Sequence, residues 1–420
     1  MTNFSALRGA FIILLLAAPF LPGARGQTQT GSSASFSANA PAGSGDPGSG
    51  IFGTLPFKLT ANVQGGYDDN VTTSNQLKQG SPFTTTGLLA NYDFGDSRTR
   101  LSLQVGAGFT YYYDDIHVPG TASHQYDIDT SLKLAVTHKA SPRLTLSLDA
   151  YIAYLSEPDF TIAQGFNRRA GNYFFTQDKF TANYAWSARF ATASSYTLGA
   201  LHYDDNLVGS FENRWENTFG NEFRFLLAPT TTLVAEYRFE LVTYEDVNRN
   251  SQTHFALGGF DHSFDPRLSA SVRAGAEFRD YESDGSSTGP YFEGTLKYAV
   301  AKQTSVSWTN RYGIEEPDVI LSQGRNTFRT GLSAKHDFTP RISATLGVYY
   351  QHDDYQSLSQ PGFFVPGFTE QDADVAFSVR YSITRYLAVE AGYNYTDVWS
   401  DIPAREYTRN RYWGGVSVTF

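Results

Sequence analysis

The chain is 420 residues long, with 41% hydrophobic residues, 15% aromatics, 18% charged residues and no cysteine. This profile excludes a disordered or collagen-like chain, and the missing cysteines exclude disulfides, Cys-ligated zinc, thiol catalysis and a lipidated cysteine anchor. A formal net charge of −10 leaves no general basic surface for a phosphate backbone, so nucleic acid is not an expected partner.

Residues 1–26 carry Arg8, an apolar run from Ala10 to Leu21 interrupted by Pro19, and small residues Ala24 and Gly26 on either side of Arg25. This is the pattern of a cleavable secretory signal peptide, and the run is shorter than the about 20 apolar residues of a transmembrane helix. Residues 27–54 are mostly Ser, Ala, Gly, Pro and Thr, and read as a flexible leader. Nothing later approaches a transmembrane helix, so an exported chain of this kind enters a membrane only as a closed barrel.

From residue 55 to residue 420 the pattern is one of strands. Leu101, Leu103, Val105, Ala107, Phe109 and Tyr111 alternate with Ser102, Gln104, Gly106, Gly108 and Thr110. The same period of two returns at Leu144, Leu146, Leu148, Ala150 and Ile152, and again at Leu233, Ala235, Tyr237, Phe239 and Leu241. Alternation of this kind marks strands with two unlike faces. The segments run to roughly ten to fourteen residues, longer than the about 5–6 of soluble strands and long enough for the about 9–11 of a tilted membrane span.

Turn signals divide into two kinds. Short ones fall at Gly95-Asp96-Ser97, Ala140-Ser141-Pro142, Ser187-Ala188-Arg189, Ala228-Pro229-Thr230, Asp265-Pro266-Arg267, Ala301-Lys302, Thr339-Pro340 and Thr384-Arg385. Between them lie longer links such as 69–81, 156–171 and 353–367. Short turns at one end and long loops at the other predict an all-β, transmembrane, antiparallel up-and-down barrel of about 18 strands, with short periplasmic turns, longer extracellular loops and both termini periplasmic. The chain ends on Tyr412, Val416, Val418 and Phe420 in alternation, which resembles the C-terminal signal read by the outer-membrane barrel assembly machinery.

Aromatics followed by acids recur at the long-loop ends, as in Tyr67-Asp68-Asp69-Asn70, Tyr113-Asp114-Asp115, Tyr203-Asp204-Asp205 and His352-Asp353-Asp354. Tyr suits a membrane–water boundary, and the acids then form a solvated rim. Neighbours along a strand point to opposite faces, so these pairs are poor general acid/base or calcium sites, and no EF-hand loop is present. The polar faces place Arg224, Glu236, Arg238, Glu240, Arg273, Glu277, Arg279, Arg311, Arg329, Arg380 and Glu390 inward, where they line a pore or pair across the wall. Tyr112, Tyr151, Phe175, Tyr203, Phe260, Tyr349 and Trp413 are expected inward as packing aromatics. The apolar loop from Ser359 to Phe368 is left without an assigned role.

Eight histidines are scattered without a G-x-S-x-G or H-E-x-x-H constellation. No catalytic residue, metal ligand or cofactor is therefore expected, and the chain is not read as an enzyme. His254 and His262 are expected as polar wall residues.

The opening Gly65-Gly66-Tyr67-Asp68-Asp69-Asn70-Val71, echoed by His202-Tyr203-Asp204-Asp205-Asn206 and followed by paired strands to the end of the chain, resembles the "Putative beta-barrel porin 2" family of bacterial outer-membrane proteins. The resemblance implies association with exopolysaccharide systems and assigns Tyr67, Asp68, Asp69 and Asn70 a structural role. The leading expectation is a porin-like channel that passes a hydrophilic solute or exported polysaccharide through a charged, hydrated lumen, as expected of a 16–18-stranded barrel. Its expected partners are outer-membrane lipid, the assembly machinery, and polysaccharide with periplasmic export components. The alternative is a non-conducting surface scaffold or adhesin that holds polysaccharide through acidic, Tyr-rich loops, and a soluble periplasmic β-protein ranks third.

Overall fold

A computed structural model describes residues 57–116, 124–158, 168–282, 285–319, 322–360 and 363–420. The expected signal peptide and leader, residues 1–26 and 27–54, lie outside them. In chain order the elements are β1 (Lys58–Asp68), β2 (Ser81–Gly95), β3 (Thr99–Ile116), β4 (His124–Lys139), β5 (Leu144–Leu155), β6 (Tyr173–Ala185), β7 (Phe190–Tyr203), α1 (Asn206–Glu212), β8 (Arg214–Ala228), β9 (Thr231–Tyr244) and β10 (Ser251–Asp265). They continue with β11 (Leu268–Tyr281), β12 (Ser286–Ala301), β13 (Thr304–Glu315), β14 (Arg325–Thr339), β15 (Ile342–Tyr355), β16 (Leu358–Gln360), β17 (Phe363–Val365), β18 (Phe368–Ser382), β19 (Leu387–Ser400) and β20 (Tyr407–Thr419).

Eighteen of these strands form one sheet in which each pairs antiparallel with its neighbours in sequence. The short β16–β17 hairpin sits apart, inside the loop between β15 and β18. Pairing of β1 with β20, from Thr60↔Thr419 to Asp68↔Arg411, closes the barrel and leaves no free edge. The wall strands run from 11 residues in β1 to 18 in β3, so their ends project beyond a hydrocarbon core that about 9–11 residues would span.

The short turns share a local device. A side-chain oxygen at the start of the turn accepts from the backbone N–H groups two and three residues on: Asp96 from Arg98 and Thr99, Ser141 from Arg143 and Leu144, Ser187 from Arg189 and Phe190. Asp265, Thr339 and Thr384 do the same for their own turns. Asp, Ser and Thr stop strands in this way because their short side chains offer the backbone an alternative to the ladder. Two turns carry a further repeat, His262-x-Phe264-Asp265-Pro266-Arg267 and His336-x-Phe338-Thr339-Pro340-Arg341. Each histidine bonds a threonine on the preceding strand, Thr231 or Thr304, at 2.8 Å.

Exposure confirms which face of the alternation is which. Val63, Leu88, Phe109, Phe219, Leu233, Phe278, Trp308, Phe377 and Val416 are exposed on the outside of the wall, which makes an apolar surface fit for lipid. Aromatics bound it at both ends, with Tyr67, Tyr111, Tyr113, Trp399 and Tyr412 toward the long loops and Phe94, Trp186, Phe264, Phe338 and Tyr381 toward the short turns. Both ends of the described barrel, Lys58 and Thr419, lie with the short turns. Phe260 departs from the expectation. It points outward, because the ladder puts Asp261 on the inward face, where it meets Arg224 and Arg273. His254 is also outward, accepting or donating at 2.7 Å with the Tyr237 hydroxyl.

Candidate functional site: a charged lumen crossed by salt-bridged loops

The inward face of β8 to β14 is a ladder of ions on neighbouring strands. Arg224 meets Asp261 at 2.5 Å and Glu222 at 3.6 Å. Arg273 reaches Asp261 at 3.0 Å, Glu222 at 3.6 Å and Glu236 at 3.7 Å. Arg238 binds Glu236 and, at 2.5 Å, Glu293. Higher up, Arg279 faces Glu240 at 3.7 Å, and Glu315 meets Arg329 at 2.8 Å and Arg311 at 3.6 Å. Across the barrel Arg380 is paired with Glu390. Alternating signs on adjacent strands stabilise the wall and keep its inner surface wettable.

Solvent access along this ladder is uneven. The side chains of Arg311, Arg224 and Lys335 are 41%, 35% and 31% exposed, whereas Arg273 and Glu236 are buried within the ladder and Arg325, Arg279, Glu277 and Asp353 are almost fully buried toward the long loops. At that end loops fold inward. Between β5 and β6, Glu157 accepts from Arg409 at 2.5 and 3.0 Å and from Arg169 at 3.1 Å, while Arg409 also grips Asp68 and Arg169 also grips Asp127. The Tyr112 hydroxyl donates to the same Glu157 carboxylate at 3.1 Å. Burial pushes Glu157 up, but Arg409 and Arg169 outweigh it and hold the carboxyl well below the ordinary range.

A second knot joins the β13–β14 loop to the β19–β20 loop. Asp318 accepts from Arg405 at 2.8 Å and from the Tyr355 hydroxyl at 2.5 Å. Arg405 also holds Glu370 at 2.6 Å, and Arg325 holds Asp353 at 2.9 Å. Burial acts against the charge on Asp318, yet Arg405 and Arg325 keep it ionised and its pKa low. A third knot ties α1 down: Glu212 meets Arg214 at 3.1 Å and Arg249 at 3.3 Å, and Arg249 donates to the Val319 carbonyl at 2.9 Å. Here burial wins over the arginines, and the Glu212 carboxyl is pushed up to about 7. Beneath α1 lies an apolar inward patch of Leu155, Tyr173, Phe175, Leu201 and Tyr203, against which Val208 and Phe211 pack.

The chemistry available is that of an inner wall carrying fixed charges of both signs, crossed at its long-loop end by salt-bridged loops. A family model described as "Putative beta-barrel porin 2" matches residues 50–420. The chain belongs to that family. Such a porin-family barrel resides in a bacterial outer membrane. Among solved structures, the chain is similar to OccAB4 of Acinetobacter baumannii, at 11% identity over 87% of this chain and 99% of that one with a TM-score of 0.43. It is similar also to OpdK of Pseudomonas aeruginosa solved with vanillate, at 10% identity, the same 87% and 99% coverages and a TM-score of 0.44. OccK9 (OpdG) of Pseudomonas aeruginosa matches at 13% identity over 87% and 98% of the two chains with a TM-score of 0.45. Among curated proteins nothing matches the sequence.

In this porin-family barrel all eleven charged residues singled out from the polar faces project inward, most of them joined in the ladder above. The residues Tyr67 to Asn70 lie at the seam between first and last strands. Tyr67 is exposed outward, Asp68 binds Arg409, Asp69 accepts from the Asn410 backbone at 2.7 Å and from its side chain at 3.0 Å, and Asn70 donates to the Thr408 carbonyl at 2.8 Å. Tyr412 and Val416 face outward in β20, in line with Val418, and Phe420 exchanges backbone hydrogen bonds with Leu59.

The expected solvated acidic rim is corrected in part. Asp114, Asp115, Asp204 and Asp354 are exposed, but Asp68, Glu315, Asp318 and Asp353 are buried among arginines. The pleat explains Asp68 and Asp353: each is the inward member of its pair and meets a guanidinium from another strand, Arg409 or Arg325. Asp318 belongs to the acidic ending Glu315-Glu316-Pro317-Asp318, but the loop acid Glu157 and the loop arginines Arg169 and Arg405 carried no signal in the sequence, since contacts such as Glu157–Arg409 span up to 252 residues. Asp353, Glu370 and Asp372 bring carboxylate oxygens within 4.8 Å of one another, but Arg325 and Arg405 already serve the first two.

Proposed function

We propose that this protein is an outer-membrane channel through which small, hydrophilic, charged solutes pass by way of the ion ladder on β8 to β14. The observation that carries the reading is the pairing of a charged inner face still open to solvent with an apolar outer face. A ladder of fixed charges of both signs lets a hydrated solute exchange water contacts for wall contacts without a deep trap. The buried loop knots favour small solutes over a polymer, since a polymer needs a lumen free along its whole length. We place the short-turn end in the periplasm. Seven of its eight turns carry a cation there, at Arg98, Arg143, Arg189, Arg267, Lys302, Arg341 and Arg385. On this reading the last strand, with Tyr412, Val416, Val418 and Phe420, is the part the assembly machinery engages.

Liposome swelling with the folded full-length barrel tests the proposal. Small neutral and charged solutes should enter at rates that fall steeply with solute size, and long oligosaccharides should be excluded. Liposomes that hold folded barrel and admit nothing would reject a channel and leave the surface scaffold; entry of long oligosaccharides as fast as monosaccharides would favour polymer export.

A further inference from the structure

We propose that the short-turn mouth of the lumen carries an arginine collar that gathers small anionic solutes. This rests on the channel reading above and names the solute class and the mouth at which it collects. The collar grows out of the turn device. In five turns the side chain that starts the turn is followed two residues on by an arginine: Arg98, Arg143, Arg189, Arg267 and Arg341. Each arginine still belongs to the ladder, because its carbonyl accepts from the backbone N–H of Lys139, Ala185, Leu226, Ala299 or Ser382 on the neighbouring strand, at 2.7 or 2.8 Å. The residue after it opens a strand on the outward face, as Phe190 does. Successive side chains alternate across the wall, so the five arginines stand on the lumen side at one level of the rim.

Charge at this rim does not cancel. Lys58, Arg100 and Lys139 join the seven turn cations named above, and all ten are exposed. The acids of the same rim are Asp93, Asp96, Asp265 and Asp337, with the carboxylate of Phe420 as a fifth. Asp96 and Asp265 each spend one oxygen on the two backbone N–H groups of their own turns, and Asp337 lies 3.6 Å from Lys335. Arg267–Asp265, at 4.0 Å, is the only ion pair that any of the ten makes among the described residues. With Lys335 included, eleven cations face five carboxylates. The next level down offers no further acid to absorb the surplus, since Asp261 and Glu222 are shared by Arg224 and Arg273, and Glu390 is held by Arg380.

Successive short turns are two strands apart, about 10 Å along the rim. That is too far for two guanidiniums to clamp one carboxylate, so the collar acts through its summed field. At physiological salt the field of each charge reaches about 8 Å, enough for those of neighbouring turns to overlap. A mouth ringed by one sign of charge in a low-dielectric wall raises the local concentration of counter-ions and their rate of capture by about tenfold or more. The opposite end carries the exposed acids Asp114, Asp115, Asp204 and Asp354, so the attraction for anions belongs to the short-turn mouth.

The test is the rate at which a thiol on the rim reacts with small methanethiosulfonate reagents of opposite charge, in the folded full-length barrel in non-ionic detergent. The chain has no cysteine of its own, so Ala140→Cys supplies a single thiol in an exposed turn, between the turns of Arg98 and Arg189. Relative to a free thiol in solution, it should react at least about tenfold faster with the anionic ethylsulfonate reagent than with the cationic ethyltrimethylammonium one at about 0.02 M salt, and the preference should fade at about 0.5 M. Arg98→Gln combined with Arg189→Gln, which leaves the thiol's own turn intact, should cut the preference at least about threefold. Asn248→Cys, beside Glu245 and Asp246 on a long loop, should prefer the cationic reagent, and Ala188→Cys repeats the rim measurement in the next turn if Ala140→Cys folds poorly. Equal rates with the two reagents, or a preference untouched by the paired substitution, would overturn the collar. Conductance in potassium chloride on the same preparations separates the two readings: a conducting barrel whose rim shows no anion preference removes the collar and keeps the channel, whereas the preference in a non-conducting barrel keeps the collar and removes the channel.

Discussion

At the residue scale, the long-loop end of the lumen depends on charges that are buried only because each has a partner. Glu157 neutralises both Arg409 and Arg169. Glu157→Ala would take the shared partner from two buried guanidiniums, leaving Arg409 with Asp68 and Arg169 with Asp127, a loss of about 1–3 kcal/mol for the donors left unsatisfied, and the expected result is faster protease cleavage in the 156–172 loop with the barrel intact. The pH dependence follows from opposite shifts. Glu157 and Asp318 lie below their ordinary values of 4.5 and 3.8, so the stability they contribute is present above those values and is lost only as pH falls through the lowered ones. Glu212 is raised to about 7, so its contribution is complete below 4.5 and is lost as pH rises through 7. Amide protection factors in α1, taken relative to the intrinsic exchange rate at each pH, should therefore be higher at pH 5 than at pH 8, and Glu212→Gln should abolish that difference. Equal protection factors at both pH values in the unmodified protein would contradict the shift.

At the scale of elements, the strands were legible and the loops were not. A period of two needs only local residues, and the Asp, Ser and Thr turn starters stand beside the strands they end, so hairpins such as β10–β11 could be placed from the sequence. Phe260 was misplaced because Gly258 and Gly259 precede it and the alternation carries no apolar mark there. Gly259, and Gly275 on the neighbouring strand, have a packing reason. A Cβ on Gly259 would lie 1.9 Å from the Val272 carbonyl oxygen, and one on Gly275 would lie 2.0 Å from that of Ala256. Gly259→Val should cost about 1–3 kcal/mol or more as overpacking, read as a lower temperature for loss of the heat-resistant folded band, while Gly258→Ala, which meets nothing nearby, should leave it unchanged. The α1 helix is capped by Asp205, which accepts from Leu207 and Val208. Asp205→Ala should loosen α1 by about 1 kcal/mol, seen as faster exchange in α1 with no change in the barrel.

For the whole molecule, the strand number, the closure of β1 on β20 and the segregation of turns from loops could all be read from spacing, because each is a count along the chain. The crossing of the lumen by salt-bridged loops could not, because it arises where segments far apart in sequence meet through Glu157–Arg409 and Asp318–Arg405. Two ends of unlike charge result, basic at the short turns and acidic at the exposed loop tips, with a two-signed ladder between them. Transport must cross that ladder and pass the knotted loops, so a narrow, stable conductance is expected in place of a wide one. The most direct measurement is single-channel recording of the refolded full-length barrel in a planar bilayer under a potassium chloride gradient. Small, discrete steps, with the reversal potential moved toward the cation-selective side by Arg311→Gln, are the predicted result. Folded, inserted barrel that passes no current at any potential or pH would contradict a channel.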